Sequence, residues 1–200
     1  MASVVGICNA ALRKLGASTI TSLSQGTKNA NWCNDRYSEM RDALLEMHPW
    51  NFAIKSAKLA QLAATPVVKF DYAYQLPTDF IRAVSVHDSN EGSGIVDHQL
   101  RDNTVEASAS ELWMVYVQSV SDPNKFSPLF REALSSYMAV DGATAIAESV
   151  TMRDLLLSEF EKIIRRARSA DSMSNLPDRM PVGSWMTGRS GRLNERRWSW

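Results

Sequence analysis

The side chains best suited to chemistry in this 200-residue chain are His48, His87 and His98, the thiols of Cys8 and Cys33, and the carboxylates of Asp71, Asp79 and Asp88. A zinc site needs ligands at spacings that return them to one face of a helix or one tight turn, as in HExxH or CxxC, and neither spacing occurs. There is no GxSxG elbow, no Walker loop and no GxGxxG between a strand and a helix; Gly92-Ser-Gly94 is too short and falls in a hairpin context. Cys8 and Cys33 fall on apolar helical faces, where a free cysteine serves as a small buried hydrophobe. Asp71, Asp79 and Asp88 fall at turns and strand edges, which acids occupy as caps or solvated groups. We therefore expect no catalytic residue, no metal and no cofactor.

A different chemistry, that of surface recognition, is concentrated near the other end. Trp185, Trp198 and Trp200 are half of the six tryptophans, and they stand among Arg179, Arg189, Arg192, Arg196 and Arg197. An indole buries a large area and a guanidinium grips carboxylates through two parallel hydrogen bonds, so both residue types anchor interfaces. These eight residues are the expected partner-binding arm. Three other readings use the same residues: an arm folded back on its own acidic body, a basic tail without fixed structure, and a nucleic-acid grip with arginines on phosphates and indoles on bases.

The elements that must position such an arm follow from periodicity. Val4, Cys8, Ala11, Leu12 and Leu15 recur at steps of three and four, predicting a first helix that Gly16 ends. Ala30, Cys33, Tyr37, Met40, Leu44 and Met47 predict a second helix, stopped at His48-Pro49 because proline lacks a donor and disfavours helical geometry in the residue before it. From Phe52 to about Phe126 the pattern becomes short β-branched and aromatic runs around Val67 to Tyr74, Phe80 to Val86 and Leu112 to Val117, which reads as one antiparallel sheet. Its turns fall at Leu76-Pro-Thr-Asp79, Asn90 to Gly94 and Asp102-Asn-Thr104. Ser127-Pro128 reads as a cap with proline at the first helical position, opening a third helix that includes a small-residue run from Ala139 to Ala147. Thr151 opens a fourth, with Leu155, Leu156, Phe160, Ile163, Ile164 and Ala167 inward. The expected fold class is α+β: a mainly α-helical bundle of about four helices in residues 1–50 and 127–170, an inserted antiparallel β domain in 51–126, and an extended C-terminal arm in 171–200.

Composition is that of an ordinary globular chain, with 44% hydrophobic and 22% charged residues and a formal net charge of zero. The neutrality hides a dipole: residues 1–161 hold 13 basic and 19 acidic side chains, while residues 162–200 hold 9 basic and 3 acidic. No run approaches the roughly 18 to 20 apolar residues that span a bilayer, and the opening Met1-Ala-Ser-Val-Val-Gly-Ile lacks a basic stretch before an apolar one. Synthesis in the cytoplasm and no membrane span are the expectations.

Three blocks of residues carry a resemblance. They are Asn9-Ala-Ala-Leu-Arg-Lys-Leu-Gly16 with Ile20-Thr-Ser-Leu23 and the run from Tyr37 to His48-Pro-Trp-Asn-Phe-Ala53; then Tyr74-Gln-Leu-Pro-Thr-Asp-Phe-Ile-Arg82; then Tyr116 through Asp122-Pro-Asn-Lys-Phe-Ser-Pro-Leu-Phe-Arg-Glu-Ala-Leu134. In this order, over residues 3 to about 170, the chain resembles the head-to-tail adaptors of tailed phages, the tail tubular protein A or gatekeeper family of short-tailed phages. Arg179-Met-Pro-Val-Gly-Ser184 is similar to the tail segment of a related adaptor group that reaches the portal.

The resemblance implies a virion structural protein of the phage tail, made in the host cytoplasm, whose copies form a homo-oligomeric ring, usually a dodecamer, between the portal protein and the tail nozzle protein. DNA passes through the axial channel during genome ejection without sequence-specific binding. On this reading the arm residues Arg179, Trp185, Arg189, Arg192, Arg196, Arg197, Trp198 and Trp200 bind the portal. Two readings from other classes are a virion-associated cell-wall hydrolase, which needs a catalytic glutamate or a Cys/His pair in a cleft, and a nucleic-acid-binding regulator.

Overall fold

A computed structural model of the chain describes residues 2–90 and 94–174. Among them are four α-helices, α1 Val4–Lys14, α2 Lys28–Glu46, α3 Pro128–Ala145 and α4 Val150–Ser172, and six strands, β1 Ile54–Lys58, β2 Tyr72–Gln75, β3 Phe80–His87, β4 His98–Arg101, β5 Thr104–Ala107 and β6 Trp113–Gln118. The fold is mixed α+β.

One device starts each of these four α-helices. Ser3, Thr27, Ser127 and Ser149 hold extended backbone geometry while their hydroxyl oxygens accept from the N–H three residues on, Gly6, Ala30, Phe130 and Met152. Each thus satisfies a donor that the first helical turn would leave unpaired. Pro128 follows its cap at a position where no N–H is needed. The fourth helix begins at Val150 behind Ser149, not at Thr151, because the cap precedes the apolar periodicity by one more residue.

The strands make two three-stranded antiparallel sheets, ordered β1-β6-β3 and β2-β5-β4, where one sheet is expected from the sequence. Strand β1 has a weakly apolar sequence, Ile-Lys-Ser-Ala-Lys, and only its register against β6, Ile54 opposite Val117 through Lys58 opposite Trp113, reveals it. Asp102 and Asn103, with φ of 50° and 61°, form the two-residue turn between β4 and β5, the geometry that matches the twist of a hairpin. Val67 belongs to no strand and is 97% exposed. Leu155, expected inward on α4, is 67% exposed, since Leu156, Phe160, Ile164 and Ala167 already define the buried stripe and Leu155 lies about 100° away from it.

All four helices contribute to one hydrophobic core, with Leu12, Leu44, Leu134, Met138 and Phe160 among its members, and Val117 from β6 and Val120 and Phe126 from the segment after it reach into it. Side chains of both sheets make a second, smaller core around Tyr74, Val86, Val105, Leu112 and Met114. Within α3 the approach of its neighbours depends on Gly142. A Cβ there would lie 2.6 Å from Leu15 Cδ1 and 2.9 Å from Trp32 Cζ2. The indole has little room to yield, because its Nε1 donates to Asp141 Oδ2 at 3.2 Å. Gly142→Ala should therefore destabilise: overpacking costs about 1–3 kcal/mol and outweighs a helix-propensity gain of about 1 kcal/mol. A thermal midpoint that rises in the variant would show that the gap is wider than described.

Candidate functional site

The eight arm residues named from the sequence, Arg179, Trp185, Arg189, Arg192, Arg196, Arg197, Trp198 and Trp200, lie outside the described residues. What the structure does describe is the end of α4, the last described element before them in the chain. The end of α4 rests on the turn that follows α2, and Asp171 makes the joint. Its carboxylate accepts the Asn51 backbone N–H at 3.1 Å and stands 3.4 Å from His48 Nε2, while Asn51 Nδ2 donates to the Asp171 carbonyl at 2.6 Å. Burial is the leading influence on His48 and lowers its imidazole pKa below the ordinary value, reinforced by Arg168 and opposed by Asp171.

The turn that receives α4 is rigid for reasons legible residue by residue. Proline at 49 ends α2, so its last carbonyls need partners from elsewhere. Trp50 Nε1 donates to the Leu44 carbonyl at 3.0 Å, and Arg82 from β3 donates to the Glu46 carbonyl at 2.9 Å. The fully buried Trp50 ring meets Phe130 edge-on at 5.0 Å, and Phe52 and Phe126 complete an aromatic group that joins the turn to the start of α3.

A second set of contacts braces the β strands against the same region. Asp79 accepts from Lys55 Nζ at 2.8 Å and from Tyr116 Oη at 2.9 Å, and its own carbonyl accepts from Ser119 N at 2.7 Å. The Lys55 hydrogen bond is the main reason its carboxyl is held below the usual carboxylate range. Ser119 in turn donates to Asp42 on α2, which Arg41 also grips through two nitrogens at 2.9 Å. Thus Asp79 and Arg82, both inside the Tyr74 to Arg82 block, serve as braces between strands and helices.

The other residues with chemical potential are dispersed. Cys8 and Cys33 are both fully buried in the helical core, where a hydrogen bond between the thiols and then burial push Cys8 far above its ordinary range. His87 Nε2 lies 2.8 Å from Ser85 Oγ, a pair the sequence search missed because i and i+2 spacing signals only a shared strand face. Its Nδ1 is buried without a hydrogen-bond partner among the described residues, so no acid among them orients the ring as a serine nucleophile's base requires. His98 points elsewhere, its Nδ1 against the Val96 carbonyl, and no three metal-ligating side chains converge among the described residues. No helix among them is long and apolar enough to cross a membrane. Sequence reasoning also missed Asp171 and Asn51, which meet across 120 residues of chain and carry no local pattern.

The arrangement holds the last described turn of α4 against the turn that follows α2. Near the end of α4 its outer face carries Lys162, Arg165 and Arg166, all exposed and none in an ion pair among the described residues. No family model matches the chain, and no curated protein matches it.

Proposed function

We propose that this chain is a virion structural protein, a head-to-tail adaptor whose copies form a ring, dodecameric by resemblance, between portal and tail nozzle. In this reading residues 1–50 and 127–170 are the helical bundle of the ring body, 51–126 an inserted β domain facing the nozzle or a neighbour, and 171–200 an extended arm that docks on the portal. It acts in the tail of the virion, and it is not an enzyme.

The observation that supports it most is the clamp at Asp171. A segment rich in tryptophan and arginine transmits load to a body only if its root is held, and here the root is bonded to the turn that the aromatic group stiffens. The charge asymmetry supports it as well. An acidic body suits a channel that must let DNA slide through without holding it, and a basic arm suits an acidic docking groove on a partner.

Co-sedimentation with the portal ring of the same virus tests this. The full chain should pellet with the portal, and a chain truncated after Ser174 should lose that binding while keeping its helical circular dichroism, because the described cores end before that point. Equal binding by both forms would remove the arm from the interface. No binding by either form would overturn the adaptor reading.

A further inference from the structure

The outward faces of α2 and α4 have opposite charge and matching spacing. On α4, Thr151, Leu155, Ser158, Lys162, Arg165 and Ser169 follow one another at steps of four and three, all exposed, so they form one stripe along the side opposite the buried residues. Arg166 lies beside it on one flank, and the exposed acids Asp154 and Glu161 lie on the other. The stripe is apolar and neutral in its first half, where Leu155 is 67% exposed, and cationic in its second. On α2, Asp35, Glu39, Asp42 and Glu46 recur at steps of four, three and four, directly opposite the buried Cys33, Tyr37, Met40 and Leu44. Arg36 and Arg41 cover Glu39 and Asp42, which leaves Asp35 and Glu46 without an ion-pair partner among the described residues.

We propose that these two faces are the contact between adjacent copies of the chain, the cationic stripe of α4 seated on the acidic stripe of α2 in the next copy. The inference deepens the ring reading and rests on it. The argument is complementarity. A contact between two different faces of the same molecule is head-to-tail, and a head-to-tail contact repeats from copy to copy, closing as a ring where the rotation per copy permits and running on as a filament where it does not. At about 1.5 Å per residue, Asp35 to Glu46 spans about 17 Å and Thr151 to Ser169 about 27 Å, so one helix can lie along the other with Lys162, Arg165 and Arg166 within the acidic stretch. The same contact covers Leu155, whose exposure has no role in the isolated chain. Stripes of like charge on the two faces of one copy would instead repel the next.

The test uses the full-length chain in sedimentation at rising concentration, with two variants. One carries Lys162→Glu, Arg165→Glu and Arg166→Glu; the other carries Asp35→Lys and Glu46→Lys, which leaves the Arg36 and Arg41 pairs intact. The unmodified chain should self-associate, more weakly as salt is raised, and each variant alone should associate about tenfold to a hundredfold more weakly. Mixing the two variants should restore association, because every contact between unlike variants is again complementary. A carbodiimide, which joins amines to carboxylates at contact distance, should link Lys162 of one copy to Asp35, Glu39 or Glu46 of another. An unmodified chain that stays monomeric, a mixture that fails to recover, or duplex DNA captured through the α4 cations would each overturn the proposal. Portal binding is read separately: retained by monomeric variants, it leaves the adaptor reading standing while the contact falls.

Discussion

Trp50→Ala is expected to lower the unfolding free energy by about 3–5 kcal/mol, the range for removing a large buried aromatic, and so to remove a large share of the roughly 5–15 kcal/mol that holds a domain folded. The ring is fully buried and packs on His48 at 4.9 Å, Phe52 at 6.2 Å and Phe130 at 5.0 Å. Its loss opens a cavity between the end of α2 and the start of α3, and the Leu44 carbonyl loses its donor in the same step. Trp50→Phe is the intermediate case. It keeps one aromatic ring but loses the indole N–H and part of the buried volume, so it should cost about 1–3 kcal/mol, less than Trp50→Ala. Denaturant midpoints of the three proteins, at unchanged slope, check the order. Equal midpoints for the unmodified chain and Trp50→Ala would mean that the turn is not part of the cooperative core.

Asp171→Ala should cost about 2–3 kcal/mol, because it removes the carboxylate that accepts the Asn51 N–H and stands against the His48 ring. The loss is local in origin, so hydrogen exchange should accelerate first in the last turns of α4 and at Asn51, ahead of α3. Under the proposed adaptor function, portal binding should weaken with it, since the end of α4 that precedes the proposed arm is then frayed. The same joint makes stability depend on pH. His48 is held below its ordinary value of 6.5, so near neutral pH it is uncharged in both folded and unfolded chains and the joint is at full strength. As the pH falls through that value the unfolded chain takes up a proton that the folded one resists, and stability declines until His48 protonates in the folded state too. Thermal midpoints at neutral and mildly acidic pH should therefore diverge, and His48→Gln should narrow the gap. A midpoint that climbs on acidification would mean that the Asp171 carboxylate, not burial, governs the ring.

Ser127-Pro128 could be named as a helix start because capping is a contact within four residues, and Asp102-Asn103 as a turn because these residues tolerate positive φ. The buried stripes of α1 and, as far as Leu44, of α2 were legible for the same kind of reason, a period of 3.6 residues written directly in residue order, while Met47, expected on the second stripe, lies past the helix and is exposed. Leu155 shows the limit, since apolar character alone does not say which of two adjacent leucines turns inward. Strand β1 shows another, because its pairing partner β6 lies more than 50 residues away and its own residues are half polar.

By itself, the sequence determined the α+β class, the order of the four helices around a region of strands, the Ser127 cap, the stop at Pro49 and the charge asymmetry between residues 1–161 and 162–200. Each depends on local chemistry or on simple counting. Only the tertiary structure decided that the strands divide into two sheets, that Gly142 is a contact point, that Asp79 and Arg82 are braces, and that Asp171 locks the end of α4 to His48 and Asn51. Those outcomes depend on which distant groups can satisfy one another's hydrogen bonds and fill one another's space, and such matching is set by the packed core as a whole.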